Sequence, residues 1–430
     1  MSSAVDNAIS VFIDQNEYLA EGVRTVDAII TVETPADLVV AAPVKERVEI
    51  LIIDCSGSMG NNDKLEHARR AATAALNVLP DGTRFTIIEG TDQAEVVFPR
   101  DAATAVMNKQ NRSAAQHALK KLHAHGGTAM GTWLGLSRMV AERHPDAMVH
   151  AILLTDGKNE HETAERLTAE IKASEGVFTC DCRGIGTDWH VADLRAIALA
   201  LHGTADIATT PEELAAEFAA MVEMSMAKTI PELTLRVWSP AGATVRFIKQ
   251  VAPQIEDLTG RRTDVAPLNG EYPLGAWGAE ERDYHIQIDV EPADAGREKL
   301  AARISVLADG AIVGQGLVRA VWTTDTDLSA RISRRVAHYT GQAELAQAVQ
   351  EGLAARKQGD LTTATAKLQR AVELANESGN EATAKLLATV VDVDERTGTA
   401  RLRTEIDDMD ERALDMRSVL TARVRKEDGA

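Results

Sequence analysis

Aromatic side chains make up only 3% of this 430-residue chain, so its cores must be built mainly from Ala, Val, Leu and Ile. Cysteine is scarcer still. Cys55, Cys180 and Cys182 form an odd set, and the last two stand too close in sequence for easy bridging. That excludes a disulfide framework and leads us to expect a reducing, cytoplasmic location. No apolar run approaches the roughly 20 residues needed to cross a bilayer. The opening MSSAVDNAISVFIDQ also lacks the basic start and continuous apolar stretch of a secretory signal. No block of Lys and Arg stands out against a net charge of −19, so the attraction to phosphates behind nucleic-acid binding has no source and no nucleic-acid partner is expected. An acidic surface favours divalent cations and basic partners, or simply keeps a protein in solution.

What is present reads as modular. A length prior of about 100 to 200 residues per domain suggests two to four domains. Over 46–228, short β-branched runs alternate with helical stretches: VEILIID, then DKLEHARRAATAALNVL, then TRFTIIEG and AEVVFPR around a turn at Gly90, Thr91 and Asp92. Helices are expected over 113–123 and 131–144, then the strand MVHAILLTDG, a helix over 163–174, the strand GVFTCDCRGIG, the helix VADLRAIALAL, the short strand TADIAT and a closing helix over 211–227. Strands alternating with helices of 10 to 15 residues imply an α/β doubly wound, mostly parallel sheet, whose ligands collect at the carboxyl ends of the strands.

Over 229–325 the texture changes to period-2 strands separated by Pro, Gly and Asp: PELTLRVWS, ATVRFIKQV, YHIQIDVEP, KLAARISVLA and IVGQGLVRAVW. Five strands are few for an antiparallel β-sandwich. The alternating runs ISVFIDQ and TVDAIITVE in 1–45 are expected to complete it across the inserted α/β domain. The region 326–430 reads as helical, with turns at Gly359-Asp360 and Gly379-Asn380 in the manner of a tetratricopeptide-like hairpin or a plain packing subdomain. A small hairpin is expected around Thr397-Gly398, and a final amphipathic helix through Ile406, Met409, Ala413, Met416 and Leu420.

The chemistry concentrates in LIIDCSGSMG, residues 51–60. Asp54, Ser56 and Ser58 alternate just past a buried strand, and such hard oxygen groups suit Mg²⁺, Mn²⁺ or Ca²⁺ rather than a thiophilic metal. Two further pieces come from other strand ends: Thr128 in GGTAMG and Asp156 in ILLTDG. A nucleophile elbow would need Gly where Ser56 stands, no Asp and His pair supports a triad, and an aspartyl phosphoryl-transfer site would usually place a carboxylate at position 56. A hydrolase using the cation is therefore the weaker alternative, and no catalytic residue is assigned.

The set Asp54, Ser56, Ser58, Thr128 and Asp156 resembles the metal ion-dependent adhesion site of von Willebrand factor type A domains, with every position filled. The resemblance spans 47–227, and the order of segments is similar to that of bacterial multidomain members. It implies that Ser56, Ser58 and Thr128 bind a cation, Mg²⁺ or else Mn²⁺ or Ca²⁺, directly, and that Asp54 and Asp156 act directly or through water. The remaining position then falls to an exposed Asp or Glu of a protein partner. On that resemblance the chain is a non-enzymatic binding module or adaptor; a scaffold that binds through its helical C-terminus is the other possibility. Gly57, Gly60, Gly126 and Gly127 are expected to permit tight turns. Cys55, Cys180 and Cys182 are expected to be core residues, His123 and His125 to line the rim, Asp188 to cap a helix, and Trp189 is a candidate contact surface for the partner.

Overall fold

The computed structural model describes residues 8–37, 46–187, 189–208, 210–394, 399–403 and 405–424. The chain divides into two compact units, 1–42 with 230–430, and 43–229.

The first unit opens with strands β1 (Ser10–Gln15), β2 (Tyr18–Ala20) and β3 (Thr25–Glu33). The chain then runs through the second unit: β4 (Arg47–Asp54), α1 (Lys64–Val78), β5 (Arg84–Gly90), β6 (Ala94–Phe98), β7 (Ala105–Val106), α2 (Lys109–Leu119), α3 (Met130–Ala141), β8 (Met148–Thr155), α4 (Ala164–Ser174), β9 (Thr179–Ile185), α5 (Val191–Ala200), β10 (Ala205–Ala208) and α6 (Pro211–Ala227). Its strands are ordered β10-β9-β8-β4-β5-β6, with β7 also on β5. All pairs from β10 to β5 are parallel, and β6 and β7 are antiparallel. β4 lies at the centre, buried at every position after Arg47, as expected of a strand covered on both faces. Leu51 and Ile53 face a core shared with Ala68, Ala72, Leu76, Phe218 and Met221 of α1 and α6. Helix starts are set by side chains: Thr163 and Thr210 accept from the N–H of Arg166 and Glu213, with Pro211 at the first turn of α6. The start of α2 lies at Lys109, not near 113, because Asn108 caps it by accepting from Asn111 N.

The first unit resumes with β11 (Ile230–Trp238), β12 (Ala243–Ala252), β13 (Glu256–Asp257), β14 (Thr263–Ala266), β15 (Asn269–Trp277), β16 (Glu281–Val290), β17 (Glu298–Ala308) and β18 (Ala311–Thr323). Two sheets, β1-β3-β16-β12-β13 and β14-β15-β11-β17-β18-β2, enclose a core that includes Ile30, Ile286, Leu235, Ile304, Trp277 and Trp322. The pairing is antiparallel except for β2 on β18, which is parallel. β15 was not expected from the sequence, because Gly270, Pro273 and Gly275 within it read as turn signals.

A short helical turn at Thr326–Ser329 follows, then α7 (Arg334–Lys357), α8 (Leu361–Glu377), α9 (Glu381–Val390) and α10 (Asp408–Arg417), with a short hairpin of β19 (Val391–Val393) and β20 (Ala400–Leu402) before α10. Asp360 and Asn380 cap α8 and α9 just past the expected glycines. The hairpin tip at Thr397-Gly398 lies outside the described residues. The last helix ends at Arg417, so Leu420 is not on its apolar face. It lies 44% exposed and bridges to Gln254. Among the described residues, no helix is long and apolar enough to cross a membrane.

Candidate metal centre

The parallel sheet presents the carboxyl ends of β4 and β8 side by side, and the five predicted residues meet there. Asp54 closes β4, and its Oδ1 accepts the backbone N–H of Ser56 at 2.7 Å. Its Oδ2 accepts the hydroxyl of Thr155, the last residue of β8, at 2.5 Å. Ser56 stands just before a single 3₁₀ turn, Gly57–Gly60, and Ser58 within it, with their Oγ atoms 3.1 Å apart. Ser58 Oγ donates to Asp156 Oδ1 at 2.7 Å. Asp54 and Asp156 are fully buried, Ser56 and Thr128 nearly so. Burial pushes the Asp54 carboxyl up to about 6, against the lowering effect of its bonds from Ser56 and Thr155 and with a further rise from the charge of Asp156.

Thr128 reaches this cluster from the loop before α3. A Cβ built on Gly157 would lie 2.8 Å from Thr128 Oγ1, 3.5 Å from Asp54 Oδ2 and 3.7 Å from Ser56 Oγ. Three of the five oxygen groups thus surround one point that only glycine leaves open. The donor set is all oxygen, with two carboxylates and three hydroxyls, which fits a hard divalent cation.

Of the four glycines expected to permit tight turns, only Gly126 adopts a positive φ, +67°. Gly127 is required for a different reason. A Cβ there would come within 2.3 Å of the His161 ring, which accepts the N–H of Thr128 through Nδ1 at 3.1 Å. The loop after β8 clamps the start of α3 further. Asn159 Oδ1 accepts from Met130 N at 2.7 Å and Glu162 Oε1 from Gly131 N at 2.5 Å, satisfying amides that the first turn of a helix leaves open. None of Thr155, Asn159, His161 and Glu162 was singled out from the sequence, because no spacing marks a residue that acts through the backbone of another loop. Lys64 was missed for a related reason. At the start of α1 it reads as a solvated charge, yet its Nζ lies 2.6 Å from Asp156 Oδ2.

His123 and His125 lie exposed, their rings stacked at 4.6 Å, and the backbone N–H of His125 binds the Cys55 carbonyl at 2.7 Å. The three cysteines are free and buried. Burial pushes the Cys55 thiol far up, with the Glu89 and Asp54 charges adding to it, which removes the thiolate that reactivity needs. Trp189 is not a contact surface. It is fully buried, its indole fills the space over Gly184, and its Nε1 donates to the Gly186 carbonyl at 2.9 Å. Asp188 lies outside the described residues.

Comparison with known proteins agrees with this architecture. Residues 48–207 match the model of the von Willebrand factor type A domain, and residues 373–418 match that of the von Willebrand factor type A C-terminal domain. The chain is 47% identical to a von Willebrand factor type A protein of known structure from Catenulispora acidiphila, with a TM-score of 0.92 and 99% of each chain covered. It shares the fold, at 13% identity and a TM-score of 0.57, with the ArnB paralog VWA2 from Sulfolobus acidocaldarius over 95% of this chain and 98% of that one. An uncharacterized protein of Synechocystis sp., sll0103, is 31% identical over 215 residues, 49% of each protein, so the chain spans about half the length of that relative. Domains of this kind generally mediate metal-dependent protein interactions. With a related protein aligned along almost its whole length and two of the family's models matched in order, the chain belongs to the von Willebrand factor type A family.

Proposed function

We propose that this protein is a divalent-cation-dependent binding module, or adaptor, whose α/β unit grips an acidic residue of a protein partner. The observation that carries the reading is the convergence of Thr128 Oγ1, Asp54 Oδ2 and Ser56 Oγ around the position a Gly157 Cβ would take. Asp54, Ser56, Ser58, Thr128 and Asp156 hold the cation, Mg²⁺ in the first instance and Mn²⁺ or Ca²⁺ as alternates. Once bound, the ion supplies an electrophilic position for a carboxylate oxygen of the partner, since three of the five protein groups are neutral hydroxyls. Asp54 and Thr155 fix the loop, and His161, Asn159 and Glu162 hold Thr128 in reach. The three free, buried cysteines support a reducing, cytoplasmic setting for the interaction.

The test is a titration of the full chain with MgCl₂ by calorimetry, followed by capture of partners with and without chelator. Wild type takes up one ion, Asp54→Ala takes up none, and chelator and Asp54→Ala abolish capture alike. A wild-type protein that binds no divalent ion, or captures its partner equally well in chelator, overturns the reading. In the latter case binding would pass to the C-terminal helices.

A further inference from the structure

Lys64 is the first residue of α1, and its ammonium sits 2.6 Å from Asp156 Oδ2, with the lysine side chain 9% exposed and the aspartate fully buried. Two costs oppose that placement. A buried ammonium gives up its hydration, and the first turn of a helix carries positive potential, which disfavours a cation there. Space for the lysine is kept by Gly186, at φ +66°, where a Cβ would come 3.2 Å from Lys64 Cε and 3.4 Å from Nζ. The charge is therefore seated within the oxygen cluster. It lies on one oxygen of a carboxylate whose other oxygen accepts the Ser58 hydroxyl at 2.7 Å.

Resting on the metal reading above, we propose that Lys64 is the resident counter-ion of this site: its ammonium neutralises Asp156 when no divalent cation is bound, and the cation loads by displacing it from Oδ2. Two carboxylates, Asp54 and Asp156, are buried in one cluster, and buried carboxylates without a cation are costly. The lysine removes that cost in the unloaded protein. It does so at the expense of divalent affinity, because loading must break an ion pair and move a like charge aside. A dication gains one net charge in this exchange, whereas a monovalent ion gains none, so the lysine also discriminates against Na⁺ and K⁺.

The test uses the full chain and MgCl₂ alone. Lys64→Gln keeps a donor for Oδ2 but removes the charge, and Lys64→Arg keeps the charge. Expected results are Mg²⁺ binding at least tenfold tighter in Lys64→Gln and near wild type in Lys64→Arg. The metal-free Lys64→Gln protein should also melt below wild type and recover when saturated with Mg²⁺. In wild type, acetylation of Lys64 by acetic anhydride, followed by peptide mass mapping, should rise several-fold on Mg²⁺ saturation. This arm decides the matter if Lys64→Gln does not fold. Binding no tighter in Lys64→Gln, equally tight binding in Lys64→Arg and Lys64→Gln, or unchanged acetylation in a wild type that binds Mg²⁺ would overturn the counter-ion role alone. A flat titration of wild type and both variants would overturn the metal reading, and this proposal with it.

Discussion

His161 and Thr128 hold each other twice: the ring Nδ1 of His161 accepts the Thr128 N–H at 3.1 Å, and the His161 N–H returns a bond to the Thr128 carbonyl at 3.0 Å. The ring bond positions a hydroxyl it does not touch. Partners of this kind, one step behind the ligands, typically cost 10 to 100-fold in metal affinity when lost. His161→Ala is expected to weaken Mg²⁺ binding about tenfold. Because His161 is exposed, stability should change by less than about 1 kcal/mol. Calorimetry paired with thermal melting checks both halves. Unchanged affinity would mean that Asn159 and Glu162 hold the Thr128 loop without it.

Gly157→Ala tests the cradle with a single methyl group. Gly157 has no positive φ, so alanine is tolerated by the backbone, but its Cβ would lie 2.8 Å from Thr128 Oγ1. The variant should fold and lose Mg²⁺ binding by 100-fold or more. Calorimetry that finds wild-type affinity in a folded Gly157→Ala would show that the cation point lies elsewhere.

Far from the cluster, in β8, His150 is buried between Glu49 Oε1 at 2.7 Å and Asp181 Oδ2 at 2.9 Å. Burial alone would push its imidazole down, but the two carboxylates outweigh it and raise it to about 9. A histidine raised from 6.5 contributes stability that is fully present below pH 6.5 and is lost as pH climbs to 9. The shift corresponds to about 3 kcal/mol. Glu49 is pushed up as well, chiefly by burial, so its ionisation also costs stability as pH rises. Asp181, against its burial, is held well below the usual carboxylate range by the bond and charge of His150, so its contribution is lost as pH falls into the acid range. The greatest stability is therefore expected at mildly acidic pH. The urea midpoint of the transition of the 43–229 unit, which holds His150, should fall between pH 6.5 and 9, and His150→Gln should flatten that slope. A slope preserved in the variant would place its origin in another group.

In the sandwich, the buried Asp283 accepts from Thr31 Oγ1 at 2.6 Å, Arg335 at 2.9 Å and Tyr339 Oη at 2.5 Å, and so ties β3 and α7 to β16. Asp283→Ala strands three donors and is expected to cost about 3 to 5 kcal/mol. Tyr339→Phe, which removes one bond, should cost about 1 to 3 kcal/mol. Since a chain of two units has no single unfolding free energy, the readout is hydrogen exchange at the amides of β3 and β16. Protection equal to wild type in Asp283→Ala would reduce the cluster to a bystander.

How far the sequence could be read follows from these same residues. The parallel sheet was legible because its central strands are buried on both faces and leave continuous runs such as ILIID and AILLT. Asp54, Ser56 and Ser58 were legible because a spacing of two past a strand end is visible without coordinates, and Thr128 and Asp156 joined them through the resemblance to the von Willebrand factor type A site. β15 was hidden by Gly270, Pro273 and Gly275, which punctuate a turn as readily as a paired strand. Trp189 was misread because an indole near a strand end has the same signature whether it faces outward or folds back over Gly184. Lys64 and His161 could not be found at all. Their roles depend on where a helix start and a loop land in space, and local sequence does not record that.

The pairing of β3 with β16 also bears on the order in which the molecule can assemble. Thr31 and Asp283 are bonded across 252 residues of sequence, and the whole of 43–229 lies between them. During synthesis β3 emerges long before its inner neighbour exists, while the parallel sheet can close as soon as β10 and α6 are made. Long-range strand pairing is slow, and it leaves strand edges exposed while it waits. β1 can cover one edge of the hydrophobic run AIITV of β3 at once, but the other edge stays open until β16 is made, and β2 waits longer still for Val321, Trp322 and Thr323 of β18; these open edges are where a chaperone's cover is needed.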